Sequence, residues 1–261
     1  MFLKGCPLRC VWCHNPESWS PQPQVLFKQS KCIRCGACSE KDFKVDDCPT
    51  TAREICGREY IMDDLMAEVE KERDIMEDSG GGVTLCGGEP LMFPDYALSL
   101  LKELGRRGFH RTVDTTLYAP QEVVEKVAAE CELLLVDLKM MDSEKHSLYT
   151  GAPNEQILQN IRCIAEAGHR FQIRIPLIEG VNADEDNIEA TARFLNSLPA
   201  PRYEDRVVNL LPYHDVGKDK HRRIGSRYNP QGYLMSPPTD ETLQRCANQL
   251  KAHGYSVIIG G

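Results

Sequence analysis

The 261-residue chain lacks any apolar run long enough to cross a bilayer, and it lacks an excess of basic residues. Its 31 lysines and arginines are outnumbered by 39 acidic residues, which gives a formal net charge of −8 at pH 7. This balance argues against broad binding to nucleic acids or to anionic membranes. The amino terminus also lacks the apolar core of a signal peptide. We therefore expect a cytoplasmic protein whose thiols stay reduced.

Aromatic residues make up only 7% of the chain, whereas cysteine is abundant, with twelve residues. Eight of the twelve precede residue 57. Clusters of this kind in a reducing compartment indicate metal binding or catalysis rather than disulfides. The other four lie in apolar stretches, where cysteine is usually a small buried residue. We therefore predict core positions for Cys86, Cys131, Cys163 and Cys246.

Beyond residue 60 the sequence alternates between short runs rich in Val, Ile and Leu and longer amphipathic segments. The short runs are typical of parallel strands covered on both faces, and they lie at 81–88, 110–116, 131–139, 171–178, 205–213 and 255–261. The amphipathic segments predict helices. Their apolar faces are at Met62, Leu65, Met66, Val69 and Met76, at Val123, Val124 and Val127, at Ile157, Leu158, Ile161 and Ala165, and at Leu243, Cys246, Ala247 and Leu250. Pro120, before the second of these faces, suits a first helical position. About six alternations predict an α/β fold, either a parallel barrel or a doubly wound sheet.

Two segments interrupt this alternation. Residues 20–59 are polar and rich in cysteine and have no lasting periodicity, so metal clusters are the expected source of their stability. We predict a small inserted domain there, with the core formed by 1–19 and 60–261. Residues 215–238 are predicted to be a long irregular connection. Its basic run at 217–223 is either a solvated loop or a patch that docks a partner.

Three cysteines at the start of the chain, Cys6, Cys10 and Cys13, have the spacing C-x3-C-x2-C. Zinc sites usually close with four protein ligands, and no nearby histidine pair completes a tetrahedron. An iron–sulfur cubane held by three cysteines keeps one iron free of protein ligands, so that this iron binds a substrate directly. The spacing therefore favours such a cluster, with zinc as the alternative.

The segment CPLRCVWC resembles the signature of the radical S-adenosylmethionine (SAM) superfamily. The resemblance implies a partial (β/α)6 TIM-like barrel and a [4Fe–4S] cluster on Cys6, Cys10 and Cys13. The amino and carboxylate groups of SAM would chelate the open iron, and reduction would cleave SAM to a 5′-deoxyadenosyl radical. Trp12 would flank the adenine.

Further motifs narrow the resemblance to the glycyl radical enzyme-activating group. They lie at or just past the ends of predicted strands, which is the edge where the active sites of α/β barrels form. The motif residues are Gly87, Gly88, Glu89 and Pro90, then Asp114 and Thr115, Asp137 and Lys139, Arg174 and Asn182, and His214. The resemblance implies that Gly87 to Pro90 holds the SAM amino group, for which a carboxylate is a suitable acceptor. It also implies roles for the other residues, with Asp114, Thr115 and Asp137 at a monovalent cation beside the SAM carboxylate, Lys139 and Arg174 on SAM, and His214 near its adenosine end.

A second cysteine group lies within 20–59. Cys32, Cys35 and Cys38 have the spacing C-x2-C-x2-C, and Cys48 precedes a proline, as in bacterial ferredoxins apart from a longer last gap. Four thiolates close one [4Fe–4S] cluster with no open iron, which suits electron transfer or structure. We predict these four as ligands, with Cys56 as the rival fourth ligand and zinc as the alternative metal. The expected role is electron relay from a flavodoxin or ferredoxin to the first cluster.

The resemblance extends from Phe2 to Gly261 and implies an activating enzyme. The adenosyl radical would take hydrogen from a backbone glycine of a partner glycyl radical enzyme and leave 5′-deoxyadenosine and methionine. Two alternatives stay open: radical SAM chemistry on another peptide or small molecule, and a non-catalytic iron–sulfur electron carrier.

The chain departs from the activating group in two places. Members usually have further residues before this start, with most of the first barrel strand. In this sequence only MFLKG precedes the first cysteine, so we expect that the start was placed at an internal methionine or that the chain is truncated. We also expect the sheet to have an exposed edge. Cys86 precedes Gly87 where serine is common in the group. We interpret Cys86 as a neighbour of the site and not as a ligand.

Overall fold

The computed structural model describes residues 1–199 and 206–260. Its strands are β1 (Phe2–Leu3), β2 (Gln24–Phe27), β3 (Arg53–Cys56), β4 (Gly82–Gly87), β5 (His110–Thr115), β6 (Leu133–Asp137), β7 (Phe171–Leu177), β8 (Val207–Pro212) and β9 (Ser256–Ile259). Its α-helices are α1 (Met62–Glu70), α2 (Arg73–Ser79), α3 (Pro94–Arg106), α4 (Gln121–Ala128), α5 (Ser143–Thr150), α6 (Glu155–Glu166), α7 (Glu185–Asn196), α8 (Gly217–Arg223) and α9 (Asp240–Ala252).

Seven strands form one parallel sheet in the order β1-β4-β5-β6-β7-β8-β9. From β4 onward the spatial order follows the chain order, as repeated strand–helix units produce. Within the described residues β1 and β9 do not pair, so the sheet stays open. The prediction of an α/β fold with a partial barrel is confirmed. Residue 205, the first of the predicted strand at 205–213, lies outside the described residues, and so does residue 261, the last of the predicted strand at 255–261.

Alternate strand residues and the apolar faces of the helices make the core. Leu85, Val113 and Val136 from the sheet are fully buried, and so are Leu100 and Leu104 from α3. Apolar residues every second position along a strand and every third or fourth along a helix reach the same layer. This layer holds the strand ends rigid at the edge where the predicted site residues lie.

The edge strand β1 is only two residues long. It pairs with β4 through Phe2↔Cys86 and Leu3↔Gly87, and the Phe2 side chain is 78% exposed. An exposed edge strand is the arrangement that the sequence predicted.

Four local expectations change. The apolar face from Met62 to Met76 is divided between α1 and α2, because Glu72 leaves helical geometry at φ −101° and ψ 6°. Pro120 is the cap before α4 rather than its first residue. The connection at 215–238 contains α8, so its basic run is helical. Of the four scattered cysteines only Cys246 is fully buried, and Cys86, Cys131 and Cys163 are half-buried.

The segment at 20–59 forms a small sheet of its own. Strands β2 and β3 pair antiparallel, with Gln24 opposite Cys56 and Phe27 opposite Arg53. Short 3-10 turns connect them, and Ala52 is the one fully buried residue of the segment. So small a buried surface leaves most of the stability of this segment to other interactions.

Among the described residues, no helix combines the length and apolar character that a membrane span needs.

We predict that Leu104→Ala lowers the free energy of unfolding by about 2–5 kcal/mol, because it leaves a cavity in the layer between α3 and the sheet. Lys102→Ala on the exposed side of the same helix is the matched control, with a change within about 0.5 kcal/mol. Chemical denaturation measures both. Equal effects of the two substitutions would contradict this placement of α3.

Candidate active site

A cavity of about 490 Å³ opens at the carboxyl ends of the parallel strands. Ten of the residues singled out from the sequence line it, namely Cys6, Cys10, Trp12, Cys13, Gly87, Gly88, Asp137, Lys139, Arg174 and His214. Four others do not line it: Glu89, Pro90 and Thr115 are buried, and Asp114 is half-buried. Chain segments from Cys6 to Gly260 thus converge on one cavity, as expected at this edge of an α/β sheet.

The cysteine loop has no regular structure of its own and is held by backbone contacts. The Arg9 and Val11 N–H groups donate to the carbonyls of Thr150 and Tyr149 at the end of α5, at 2.8 and 3.0 Å. The Gly5 N–H donates to the Ser18 carbonyl at 2.6 Å and closes the loop at its base. These bonds aim the three cysteines at the cavity.

The three cysteines are half-buried, and partial burial of their thiols raises their pKa values, to about 11 for Cys6, about 12 for Cys10 and about 11 for Cys13. The nearby Lys139 acts in the opposite direction on all three. The thiols therefore stay protonated at neutral pH until a metal replaces the protons. Thiols beside one buried cation suit a cluster that binds thiolates.

The thiols do not converge on a single point. In the described part of the chain, no three His, Cys, Asp or Glu side chains form a group that could hold one metal ion. Ligands to three different irons of a cubane stand farther apart than ligands to one zinc. The three cysteines line one common cavity, which is compatible with the wider arrangement.

Gly87 and Gly88 bring the backbone of the β4 end against the cysteine loop. Gly87 has φ +115°, and a Cβ on Gly88 would lie 2.1 Å from the Gly5 carbonyl oxygen. The Gly88 and Glu89 N–H groups donate to the carbonyls of Leu3 and Gly5 at 2.9 and 2.8 Å. Only glycine allows so close an approach, so this pair presents backbone to the cavity.

The Glu89 carboxylate, which the sequence analysis offered to the SAM amino group, is turned into the protein and is 1% exposed. Its oxygens accept from the Thr115 hydroxyl at 2.6 Å, from the Thr116 hydroxyl at 2.6 Å and N–H at 2.8 Å, and from the Leu91 N–H at 3.1 Å. Burial raises its pKa, and these hydrogen bonds oppose that rise. Here Glu89 braces the β4 turn against the β5 turn, because four donors of the β4 and β5 turns satisfy it.

Two ion pairs supply the charge of the cavity, and of their four residues Lys139 is buried and the other three are half-buried. Lys139 is 5% exposed and donates to Asp137 at 2.7 Å, and Arg174 donates to Asp114 at 2.5 Å. Burial would lower the pKa of Lys139, but Asp137 and the neighbouring thiols raise it overall, so the amine stays charged. Burial, with Asp137 nearby, raises the pKa of Asp114 to about 6 against the opposing effect of Arg174.

These pairs bear on the predicted cation site. Asp114, Thr115 and Asp137 are already partnered, by Arg174, Glu89 and Lys139 respectively. A monovalent cation here would share or replace these partners.

Sequence reasoning missed residues that the structure places at the cavity. The ring of His14 stacks on His214 with centroids 4.1 Å apart, and its Nε2 lies 2.7 Å from the His214 carbonyl. Thr116, Ile178 and Tyr213 also line the wall. Adjacency to Cys13 and to the strand ends was the only available signal for them.

Asn182, noted in the sequence without a role, joins two strand ends. It is fully buried, and its Nδ2 donates to the carbonyls of Lys139 at 2.6 Å and Pro176 at 2.7 Å. Its Oδ1 accepts from the Ile178 N–H at 2.8 Å. Asn182 therefore fixes the backbone that carries Lys139.

The second cysteine group is not assembled as a metal site in the described residues. Cys35 and Cys38 are exposed, and Cys32, Cys48 and Cys56 are half-buried. Backbone N–H groups of Arg53, Thr50 and Ala52 stabilise the Cys48 thiolate and lower its pKa. Burial raises the pKa of Cys56.

Comparison with known proteins identifies the family. The model of the radical SAM superfamily matches residues 1–195. The chain belongs to the radical SAM superfamily. It is 38% identical to the trans-4-hydroxy-L-proline dehydratase activating enzyme of Clostridioides difficile, over 100% of this chain and 93% of the relative. It is 36% identical to the choline trimethylamine-lyase activating enzyme of Oleidesulfovibrio alaskensis, over 99% and 91%.

Further relatives agree with this assignment. The pyruvate formate-lyase 2-activating enzyme of Escherichia coli is 32% identical over 100% of this chain and 86% of the relative. A solved domain of a Bacteroides vulgatus pyruvate-formate lyase-activating enzyme is 48% identical with a TM-score of 0.58, over 69% of this chain and 99% of that domain. The resemblance to the activating group is confirmed, and the superfamily implies a [4Fe–4S] cluster and SAM.

We predict that Glu89→Gln lowers the free energy of unfolding by about 1–3 kcal/mol, because the new amide presents N–H groups to donors that need an acceptor. Denaturation of the protein, with the exposed Glu122→Gln as control, measures the loss. A stability equal to wild type would show that the carboxylate does not brace the two turns.

Proposed function

We propose that this radical SAM protein activates a glycyl radical enzyme. The main support for this proposal is that three cysteines, Lys139 and Arg174 line one cavity. The chain also matches an activating enzyme along its whole length. With a [4Fe–4S] cluster and SAM bound, the chemistry supplied is one-electron cleavage of SAM to methionine and a 5′-deoxyadenosyl radical, which takes hydrogen from a backbone glycine of the partner.

Different residues of the cavity would bind different parts of the cluster and of SAM. Cys6, Cys10 and Cys13 would bind three irons and leave the fourth to the amino and carboxylate groups of SAM. Lys139 and Arg174 supply positive charge for the carboxylate, and charge-assisted bonds of this kind are strong in a buried site. Their present partners, Asp137 and Asp114, keep both cations in place beforehand and would be shared with SAM or with a monovalent cation that Thr115 helps to hold.

Neutral groups would position the rest of SAM. The backbone of Gly87 and Gly88, fixed in place by Glu89 and Pro90, would face the amino group. Trp12 and His214 line the cavity and would contact the adenine and adenosine parts. The proposed reaction requires the protein to position the bound cofactor and to shield the radical.

The alternative of an electron carrier has less support. Such a protein needs a shielded cluster but no cavity lined by paired cations. Lys139 is 5% exposed beside the cysteines, and Asp137 at 2.7 Å compensates the cost of burying its charge. A charged lysine and arginine at the wall of an open cavity are explained by an anionic ligand such as the SAM carboxylate, and an electron carrier gives them no role.

For the segment at 20–59 we propose a second [4Fe–4S] cluster on Cys32, Cys35, Cys38 and Cys48. Backbone N–H groups around the Cys48 sulfur support its choice over Cys56, since hydrogen bonds to ligand sulfurs are typical of iron–sulfur sites. A closed cluster there would pass electrons from a flavodoxin or ferredoxin to the first cluster.

The partner is proposed as a class only. The relatives named above serve a hydroxyproline dehydratase, a choline lyase and a pyruvate formate-lyase. Those partners share glycyl radical chemistry and not a substrate, so the class is the part carried over to this chain.

The function is tested by anaerobic reconstitution with iron and sulfide, reduction, and addition of SAM with a candidate glycyl radical enzyme. We expect 5′-deoxyadenosine and a glycyl radical signal on the partner in electron paramagnetic resonance. Cys13→Ala should abolish both, because the cluster loses a ligand, and the peripheral Cys163→Ala should leave both unchanged. Formation of both products by Cys13→Ala would contradict the ligand assignment.

The iron content tests the second cluster. We expect about eight irons in the reconstituted wild type and about four in Cys48→Ala, since one closed cluster would be lost. Cys56→Ala should keep about eight. A lower iron content in Cys56→Ala and an unchanged one in Cys48→Ala would make Cys56 the fourth ligand in place of Cys48. Zinc in place of iron would contradict the proposed electron transfer through this segment.

A further inference from the structure

The basic run at 217–223 was left without a role by the sequence, and the structure forms it into α8, directly beside the third cysteine. We propose that α8 clamps the Cys13–Trp19 segment, and that His221 and Lys220 are positioning residues that hold Cys13 for the cluster. The inference rests on the proposed function, because it takes Cys13 as a cluster ligand.

The first contact of the clamp is a hydrogen bond to the backbone of Cys13. His221 is 1% exposed, and its Nε2 lies 3.2 Å from the Cys13 carbonyl oxygen. A carbonyl only accepts, so Nε2 carries the proton. In the neutral ring Nδ1 then accepts from the Ser226 hydroxyl at 2.9 Å. Both ring nitrogens are thus satisfied, and the donor stays aimed at Cys13.

The second contact is aromatic. The His221 ring meets the edges of Trp19 and Tyr228 at centroid distances of 5.2 and 5.1 Å, with planes near perpendicular. The Arg9 guanidinium lies 5.5 Å from the Trp19 ring centre and donates to the Cys6 carbonyl at 2.5 Å. The packing therefore runs from α8 through Trp19 to the first cysteine as well.

The third contact is ionic. The Lys220 amine lies 2.6 Å from the Asn15 amide oxygen and 2.7 Å from a Glu17 carboxylate oxygen. The Glu17 side chain is 18% exposed, and its second oxygen is buried without a hydrogen-bond partner in the described structure. The Lys220 side chain is itself 42% exposed, so its loss would remove the hydrogen bond to Asn15 and the ion pair to Glu17 that hold the segment after Cys13.

The helix also approaches the loop as closely as backbone allows. A Cβ on Gly217 would lie 2.7 Å from the Cys13 carbonyl oxygen and 3.1 Å from the His14 Cα. Apart from one short 3-10 turn at Pro16–Ser18, the segment has no regular structure of its own. Helix α5 fixes the loop around Arg9 and Val11, and α8 fixes the part that begins at Cys13.

Residues that orient a metal ligand usually change metal affinity or activity 10- to 100-fold when they are replaced. We expect a loss of about this size in SAM cleavage by His221→Phe and by Lys220→Met. His221→Phe keeps an aromatic ring but removes the donor. His221→Gln restores an N–H near the position of Nε2 and should recover most of the loss. Arg222→Gln, 78% exposed on the same helix, is the matched control and should behave as wild type.

The readouts separate positioning from general stability. For each reconstituted variant we would measure iron content, the midpoint potential of the cluster, its paramagnetic resonance spectrum with and without SAM, and the melting temperature. The inference predicts lower iron retention or a shifted potential and spectrum in His221→Phe and Lys220→Met, with recovery in His221→Gln.

The inference is overturned if both variants keep wild-type iron, potential and spectrum, whatever their melting temperatures. The same loss in Arg222→Gln would overturn it too. A wild type that neither holds iron nor cleaves SAM would refute the proposed function, and the clamp with it.

Discussion

The site depends on one constraint: a short irregular loop must hold three thiols around a shared cavity without letting them close on one metal. The loop has no helix or strand of its own, so its shape comes from neighbours. The end of α5 holds it at Arg9 and Val11, the Gly88 backbone presses against Gly5, and α8 reaches it at Cys13. Of these neighbours, the Gly88 backbone directly follows β4 of the parallel sheet.

Charge is organised by the same sheet. Asp137 and Lys139 pair at the end of β6, and Arg174 of β7 reaches across β6 to Asp114 of β5, so that the charges are paired before any ligand arrives. Burial of the Lys139 cation is tolerable because the Asp137 carboxylate lies within hydrogen-bond distance. Asn182 then fixes the Lys139 backbone from the β7 side. The protein thus keeps its cations ready for an anionic ligand at little reorganisation.

Much of this follows from local sequence. Buried parallel strands are short and apolar, so β4 to β8 could be predicted from their runs, and with them the edge that collects the motifs. The break between α1 and α2 could not, since the apolar spacing continues across it. The inward orientation of Glu89 could not be predicted either, because it depends on threonines of another strand. The contact of His221 with Cys13 could not be predicted, because a basic run gives no sign of one buried face. Such contacts join residues distant in sequence, where periodicity carries no information.

The central claim is that one iron of the first cluster has no protein ligand and binds SAM. The most direct measurement is electron–nuclear double resonance on the reduced cluster with SAM labelled by nitrogen-15 at its amino group. The account predicts a nitrogen hyperfine coupling that appears with labelled SAM and is lost in Cys13→Ala. A cluster spectrum without that coupling, or zinc bound at Cys6, Cys10 and Cys13, would contradict it.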